Sequence, residues 1–165
     1  MATPTTLPAT FTAGQVLTAA QMNDLRGAFR VLQVVNANYS TQTSSSTSTY
    51  ADTGLTASIT PSSTSSKVLV IVNQAGCLKQ TNNTYLHLRL VRGTTEIAKF
   101  ESYGGFTNNT AWNGFGSCST IYLDSPATTS ATTYKTQFYS NNNNAEVVVQ
   151  TNTCASTITL MEISA

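Results

Sequence analysis

Beyond residue 36, the chain is a succession of short runs in which apolar and polar residues alternate, and each run ends at turn residues. The clearest run is Tyr85–Val91, where Leu86, Leu88 and Leu90 would lie on one face of a strand. Alternation also marks residues 55–59, and further strands, some on weaker signals, are predicted over 67–72, 95–100, 117–123, 133–139, 146–150 and 157–163. Strands at such intervals, without interleaved helices, predict an all-β fold, an antiparallel, jelly-roll-like β-sandwich of seven to nine strands.

Three segments carry more specific expectations. The run 67–72 is continuously apolar after Lys67, which predicts a central strand that is buried on both faces. The stretch 40–50 is nearly free of apolar residues and indicates a flexible loop or an exposed edge strand. The Asn141–Asn144 run is typical of an exposed turn between two strands, because Asn tolerates left-handed backbone geometry.

Composition narrows the classes of partner. Thr, Ser and Asn together supply 62 of the 165 residues, whereas charged residues supply 9 %, against about 25 % in an average soluble domain. The net charge is +1 and the basic residues are scattered, so no nucleic-acid partner is predicted. No apolar run approaches the roughly 20 residues that cross a bilayer, so no membrane insertion is predicted.

The N-terminal region has a different period. Thr18 and Gln21 form a capping-box pattern, which predicts a short α-helix from Ala19 to Leu32. The helix would carry a single apolar stripe, preceded by a hydrophobic staple, and we assign to docking or oligomerisation the residues Leu17, Met22, Leu25, Phe29 and Leu32. Such a helix must dock on its own domain, on symmetry mates or on another protein. We therefore divide the chain into an arm with a docking helix, 1–35, and a sandwich domain, 36–165.

The sequence offers no recognisable catalytic machinery. His87 is the single histidine, and it alternates with leucines in a predicted strand. Cys77, Cys118 and Cys154 lie far apart, so neither a metal site nor a cofactor is predicted. Cys77 and Cys118 fit buried thiols, and a Cys118–Cys154 disulfide stays open. No acidic pair is suggested by spacing, so we expect no catalytic residues and a protein that is not an enzyme.

One segment combines aromatic rings with small polar side chains. It runs from Tyr103 to Gly116 and contains the only tryptophan of the chain. Rigid aromatics among adaptable polar residues suit a shallow glycan or receptor site, for which the candidate residues are Tyr103, Phe106, Asn108, Asn109, Trp112, Asn113 and Phe115. The alternative is that Phe106, Trp112 and Phe115 close the end of the sandwich or a subunit interface. Both interpretations stay open at this point.

Three segments together resemble structural proteins of tailed bacteriophages. Residues 11–26 resemble a "GxVLTAAxMN" segment that introduces a short helix near the start of phage tail and fibre proteins. Residues 58–70 resemble an "ITPSSxSSKVLV" hairpin of phage structural and fibre-head domains, and 158–163 fit the closing strand of the same group. None of these segments is associated with a ligand or with chemistry.

The resemblance implies a class of function. It implies a non-enzymatic virion structural protein, tail- or fibre-associated, with an outward-facing sandwich that contacts host surface glycan. The implied partners are further copies of the chain, in a homotrimer, and other virion proteins. The implied location is the virion, assembled in the host bacterial cytoplasm. The alternatives are a capsid decoration protein of the cement or head-fibre type and a carbohydrate-binding module.

Overall fold

The computed structural model describes residues 31–164, together with Gly14, Val16, Thr18, Ala19 and Met22. The described residues contain a single 3-10 turn at Thr151–Thr153 and no α-helix of seven or more residues. Their strands, in chain order, are β1 (Val31–Tyr39), β2 (Thr43–Ser45), β3 (Ala51–Ile59), β4 (Lys67–Lys79), β5 (Leu86–Arg92), β6 (Thr95–Gly104), β7 (Asn113–Asp124), β8 (Thr132–Ser140), β9 (Val147–Val149) and β10 (Ser156–Ile163).

The strands form two antiparallel sheets in a sandwich-like arrangement, which confirms the predicted all-β class. Sheet A has the long strand β4 at its centre. Along one edge of β4, its first half pairs with β10, which in turn pairs with β1. Along the same edge, the second half of β4 pairs with β9, which in turn pairs with β2. Strand β7 pairs with β4 on the other side. Sheet B has the order β3-β8-β5-β6. The jelly-roll type of connection stays a prediction.

The first strand corrects the predicted end of the N-terminal helix. Leu32 lies in β1, not in a helix, and Val34 pairs with Met161 of β10. The run from Val31 to Val35 contains three β-branched valines, which favour a strand, and pairing with β10 provides partners for its backbone groups. Leu32 therefore does not belong to the predicted helix.

Part of the predicted helix has a structural counterpart. Ala19 and Met22 are helical, and the backbone N–H of Met22 donates to the carbonyl of Thr18 at 3.0 Å. Met22 is about half exposed. The other assigned residues, Leu17, Leu25 and Phe29, lie outside the described residues, so the docking helix stays a prediction.

A buried polar network interrupts the apolar core. On β8, Thr136 lies between residues of the two core clusters, and it donates to the Gln74 amide oxygen of β4 at 2.8 Å. The Gln74 amide in turn donates to the Ser156 hydroxyl at 2.9 Å. All three residues are fully buried. The larger side chains of the clusters on either side are Leu55, Ile59, Tyr134, Ile158 and Leu160 in one, and Leu86, Leu88, Phe138 and Val147 in the other.

The sandwich has two distinct ends. At the end where the chain enters β1, here called the entry end, Ile163 pairs with both Val31 and Lys67. At the opposite end, here called the distal end, Lys79 pairs with Asn113. The loops that follow β4, β6 and β8 therefore lie at the distal end, opposite Val31.

A buried carboxylate fastens the entry end. Glu162 is fully buried and accepts hydrogen bonds from the Ser62 backbone N–H and hydroxyl, at 2.7 Å each, and from the Gln33 amide at 2.6 Å. Burial alone would raise the pKa of Glu162, but the hydrogen bonds from Gln33, Ser62 and Ser66 outweigh it and lower this pKa to about 2. The turn after β3 is thereby joined to the last strand.

An ion pair joins the two sheets at the same end. Arg92 of sheet B donates to both carboxylate oxygens of Asp124 in sheet A, at 2.9 and 2.8 Å. The buried Tyr134 hydroxyl donates to the same carboxylate at 2.7 Å. Burial, together with this hydrogen bond, raises the pKa of Tyr134.

The outer face of sheet A is unexpectedly apolar at the entry end. The expectation that the strand at 67–72 is buried on both faces is wrong, because only its inner face, Val68, Val70 and Val72, is buried. Its outward side chains continue a cross-strand row, here called the apolar row, which consists of Val34, Met161, Leu69 and Leu123. Ile121 lies beside this row and is 68 % exposed.

Candidate functional site

The distal loop that carries most of the predicted site is fixed by a buried lysine. The ammonium group of Lys79 donates to the carbonyls of Thr81, Thr107 and Thr110, at 3.2, 3.1 and 2.8 Å. Burial lowers the pKa of Lys79. Because two of these carbonyls belong to the loop between β6 and β7, the lysine ties that loop to the central strand. Lys79 carries no signal in the sequence, since a lysine at a strand end is ordinarily exposed.

Tyr103 and Phe106 belong to a larger aromatic assembly on the outer face of sheet B. The Tyr103 ring stacks on Tyr85 with centroids 4.3 Å apart, and Phe106 meets Tyr85 edge-on at 5.9 Å. From Tyr85 the contacts continue across the sheet to His87, Tyr139 and Tyr50, with successive centroids 5.0, 4.1 and 4.5 Å apart. We call this set the aromatic row: Tyr50, Tyr139, His87, Tyr85, Tyr103 and Phe106.

The geometry of the aromatic row limits what it can bind. His87 and Tyr139 are nearly parallel, at 4°, and Tyr85 and Tyr103 at 17°, so these rings cover one another's faces. A sugar ring stacks on a free aromatic face, not on an edge, because the face is the broad apolar surface of the ring. Tyr103, 65 % exposed at one end of the row, is the member best placed to offer a face. The interior of the row is better described as cross-strand packing that stiffens sheet B.

Polar groups border the aromatic row. The Arg89 guanidinium lies 3.7 Å above the centre of the Tyr50 ring and donates to Gln137 at 2.9 and 2.7 Å. Arg89 also pairs with Glu96 at 3.0 Å. Burial and the nearby Lys99 charge lower the pKa of His87, which favours the neutral, stacked imidazole at neutral pH.

The structure separates the predicted site residues by role. Phe115 packs against the second core cluster and lies directly over Gly104 and Gly105, where an added Cβ would come within 2.7 and 2.6 Å of its ring. Asn113 donates to the Gly105 carbonyl at 2.9 Å. Both therefore hold the loop in place. Asn108 and Asn109 are exposed at the tip of the loop.

Trp112 lies apart from the aromatic row and lines a cleft at the distal end. The cleft has a volume of about 310 Å³ and lies on sheet A, where β4 and β7 meet the turn after β9. The Trp112 side chain is 65 % exposed. The residues that line the cleft are Gly76, Cys77, Leu78, Trp112, Gly114, Gly116, Thr151, Asn152 and Cys154.

The cysteines are all free thiols. Cys77 and Cys118 are buried in the same core cluster, as the sequence predicts, whereas Cys154 is exposed at the cleft. The disulfide between Cys118 and Cys154 that the sequence left open is therefore not formed. The hydrogen bond with Cys118, together with burial, raises the pKa of the Cys77 thiol, so this thiol stays protonated.

Two of the six members of the aromatic row, Tyr139 and Tyr50, were missed in the sequence. Alternation in Tyr85–Val91 puts Tyr85, His87 and Arg89 on the face opposite the leucines, but it identifies no partner for them. The missing signal was Tyr139, which pairs with His87 across β5 and β8 and also ends an alternating run. Tyr50 lies in the Ser/Thr-rich stretch and carries no local pattern.

Two general features bear on the class of site. Within residues 31–164 and the few described positions before them, no group of three or more His, Cys, Asp or Glu side chains is arranged to hold a metal ion. In that same part of the chain, no helix has the length and apolar character needed to cross a membrane.

Neither the known family models nor the curated proteins contain a match to this chain.

Proposed function

We propose that the protein is a non-enzymatic structural component of a tailed bacteriophage virion, associated with the tail or its fibres. Its sandwich faces outward, and its distal end contacts glycan on the host surface. The observation that carries this proposal is that the two ends of the sandwich differ. The chain enters at one end, at Val31, and the exposed rings of Tyr103 and Trp112 lie at the other. A displayed module needs an anchor and a contact surface at opposite ends.

The resemblance to phage structural proteins gains support from the entry end. Two of the three segments that carry it, 58–70 and 158–163, are adjacent in the fold, because β10 pairs with β4. Ser62 of one segment donates to Glu162 of the other. These two segments thus form one structural unit, which is what a shared fold motif requires.

A non-catalytic role is supported by the environment of the single histidine. His87 lies flat against Tyr139 and contacts Tyr85, so its ring is engaged in packing. A general base must reach the hydroxyl or thiol that it activates. In the part of the chain that the structure describes, the hydrogen bonds found for serine hydroxyls and cysteine thiols do not involve His87.

Self-association is the second part of the proposal, as a homotrimer. Val34 and Leu123, at the two ends of the apolar row, are 56 % and 57 % exposed, and the row crosses four strands. Contiguous exposed apolar surface of this kind marks an interaction site. The apolar row lies at the entry end, and Val34 is three residues from the start of β1, so copies that meet there would bring the first residues of β1 together.

The experiment that tests the proposal is immunogold labelling of purified phage particles with an antibody against residues 31–164. Label on the tail or its fibres supports the proposal. Label on the capsid surface instead supports a decoration protein that stabilises the head. Complete, infectious particles without label would contradict both. A chain that binds glycan but is absent from particles would favour a carbohydrate-binding module.

A further inference from the structure

The Trp112 cleft has a floor made of glycine. An added Cβ at Gly114 or Gly116 would meet no atom within 4 Å, so the space above these residues is open. Gly76 differs, because its Cβ would come within 2.5 Å of the Thr151 nitrogen. The turn after β9 therefore packs directly on Gly76 and forms one wall, and Trp112 forms another.

The wall formed by the turn after β9 has an unusual backbone. Gln150, Asn152 and Thr153 have φ angles of 55°, 54° and 59°, which is the left-handed region, and none of them is glycine. Residues in this region persist where the surrounding structure fixes them, and they cluster at ligand sites. Here the Gln150 backbone N–H donates to the Ala75 carbonyl at 2.9 Å, and the Thr151 hydroxyl to the Gly76 carbonyl at 2.9 Å. This conformation carries Asn152 to the cleft.

The chemistry of the lining limits the class of ligand. The lining residues include no Asp, Glu, Lys, Arg or His, so an ionic or phosphorylated ligand would lose its hydration without compensation. Trp112 supplies an exposed aromatic face without a ring contact among the described residues, unlike the members of the aromatic row. The Asn152 side chain, exposed beside it, can donate to and accept from hydroxyl groups. A volume of about 310 Å³ is at the lower end for ligand pockets.

We propose that this cleft binds one neutral pyranose ring of a saccharide, stacked on Trp112, above the Gly114 and Gly116 floor, with its hydroxyl groups toward Asn152. The proposal rests on the glycan contact proposed above and gives it a location and a chemical class. An apolar side chain of a second copy of the chain is the competing occupant, and the test is designed to recognise it.

The chain contains two built-in reporters of this cleft. Trp112 is its only tryptophan, so tryptophan fluorescence comes from the cleft alone. Cys154 is the one exposed thiol among three, since Cys77 and Cys118 are buried. We would titrate the full-length protein with neutral monosaccharides and their short oligomers, and follow both Trp112 emission and the rate at which a thiol reagent modifies Cys154. We expect a saturable change in emission and slower Cys154 modification, with the same midpoint.

Variants separate binding from folding. Gly114→Val fills the open floor, and we expect at least a tenfold loss of saccharide affinity with unchanged thermal unfolding. Ser117→Val places the same side chain at an exposed position of β7 outside the cleft lining, and it should bind like the parent. Trp112→Ala should abolish the protection of Cys154.

Two results would overturn the inference. One is the absence of any saturable response of either reporter at millimolar saccharide. The other is a Trp112 emission that changes with protein concentration alone, which would show that a second copy occupies the cleft. Failure of the saccharide-cleft proposal is distinguishable from failure of the proposed virion function. Labelled particles without a saccharide response refute only the cleft, and a saccharide response without labelled particles refutes only the virion role.

Discussion

The Glu162 carboxylate accepts two hydrogen bonds from Ser62, one from its backbone N–H and one from its hydroxyl, both at 2.7 Å. The two residues are separated by 100 positions, yet this contact fixes the turn after β3 to the final strand. No cation takes part in the hydrogen bonds that hold Glu162 here, and neutral donors satisfy the buried charge. Such an arrangement is sensitive to protonation.

We expect an acid-dependent loss of stability that is specific to Glu162. Its pKa in the folded state is about 2, below the ordinary value of 4.5. The folded state therefore favours the charged form, and this contribution is complete above about pH 4.5 and is lost as the pH falls toward 2. Glu162→Gln should lower the free energy of unfolding by about 2 kcal/mol at pH 7 and flatten its dependence between pH 4.5 and 2.

The measurement is chemical denaturation of both proteins over that pH range. Glu101→Gln is the matched control, since it removes a carboxylate that is half-buried, not fully buried. Parallel pH profiles for the parent and Glu162→Gln would contradict the assignment.

Lys79 should control the order of the distal loop more than the overall stability. Lys79→Met removes three donors from the carbonyls of Thr81, Thr107 and Thr110, but it also removes the penalty of burying a charge. We expect a loss of about 1–2 kcal/mol in the free energy of unfolding. Amide exchange over residues 105–112 should become much faster, as read by hydrogen–deuterium exchange mass spectrometry. Lys99→Met, at a largely exposed lysine, should leave these rates unchanged.

Two substitutions at the ion pair between the sheets should lower the free energy of unfolding by different amounts. Tyr134→Phe removes only the hydroxyl that donates to Asp124, and should cost about 1 kcal/mol. Asp124→Ala removes the acceptor of the Tyr134 hydroxyl and leaves Arg92 only the Ser125 carbonyl, at 3.3 Å, and should cost about 3 kcal/mol. Denaturant midpoints measure both values. Equal losses in the two variants would show that the Arg92 pair contributes nothing.

Exposed apolar side chains of β7 should govern self-association. The double variant Ile121→Thr and Leu123→Thr replaces two largely exposed residues with β-branched polar ones, so the strand itself is preserved. We expect the parent to be a trimer and the variant a monomer in size-exclusion chromatography with light scattering. Stability of the monomeric unit should change by less than about 0.5 kcal/mol, as for ordinary surface substitutions. A variant that still forms trimers would place the interface elsewhere.

The fold was predictable where local pattern and packing agree. In Tyr85–Val91 every second residue is a leucine and all three leucines enter the core, so alternation alone located β5. β1 was missed because the spacing from Phe29 to Leu32 also fits a helix. The strand that pairs with β1 is β10, which is remote in sequence: Val34, for example, pairs with Met161. The continuous apolar run in β4 was interpreted as burial on both faces, although Leu69 forms part of an open outer surface.

The candidate site was predictable only in its composition. The sequence identified Trp112 and Tyr103 as unusual aromatics, and both are indeed exposed. It could not separate them from Phe115, which packs inward, because that distinction depends on the bulges of β4 and β7. The turn that forms the far wall of the Trp112 cleft depends on left-handed residues such as Thr153, which no local propensity favours.

The central claim is that the chain is part of a virion, and density-gradient sedimentation of phage particles tests it most directly. The amount of the chain in each fraction would be measured by quantitative mass spectrometry and compared with particle number. We expect the chain to sediment with infectious particles at a fixed copy number that is a multiple of three and that survives a high-salt wash. A chain that stays with the unassembled protein at the top of the gradient, while complete infectious particles sediment without it, would contradict the account.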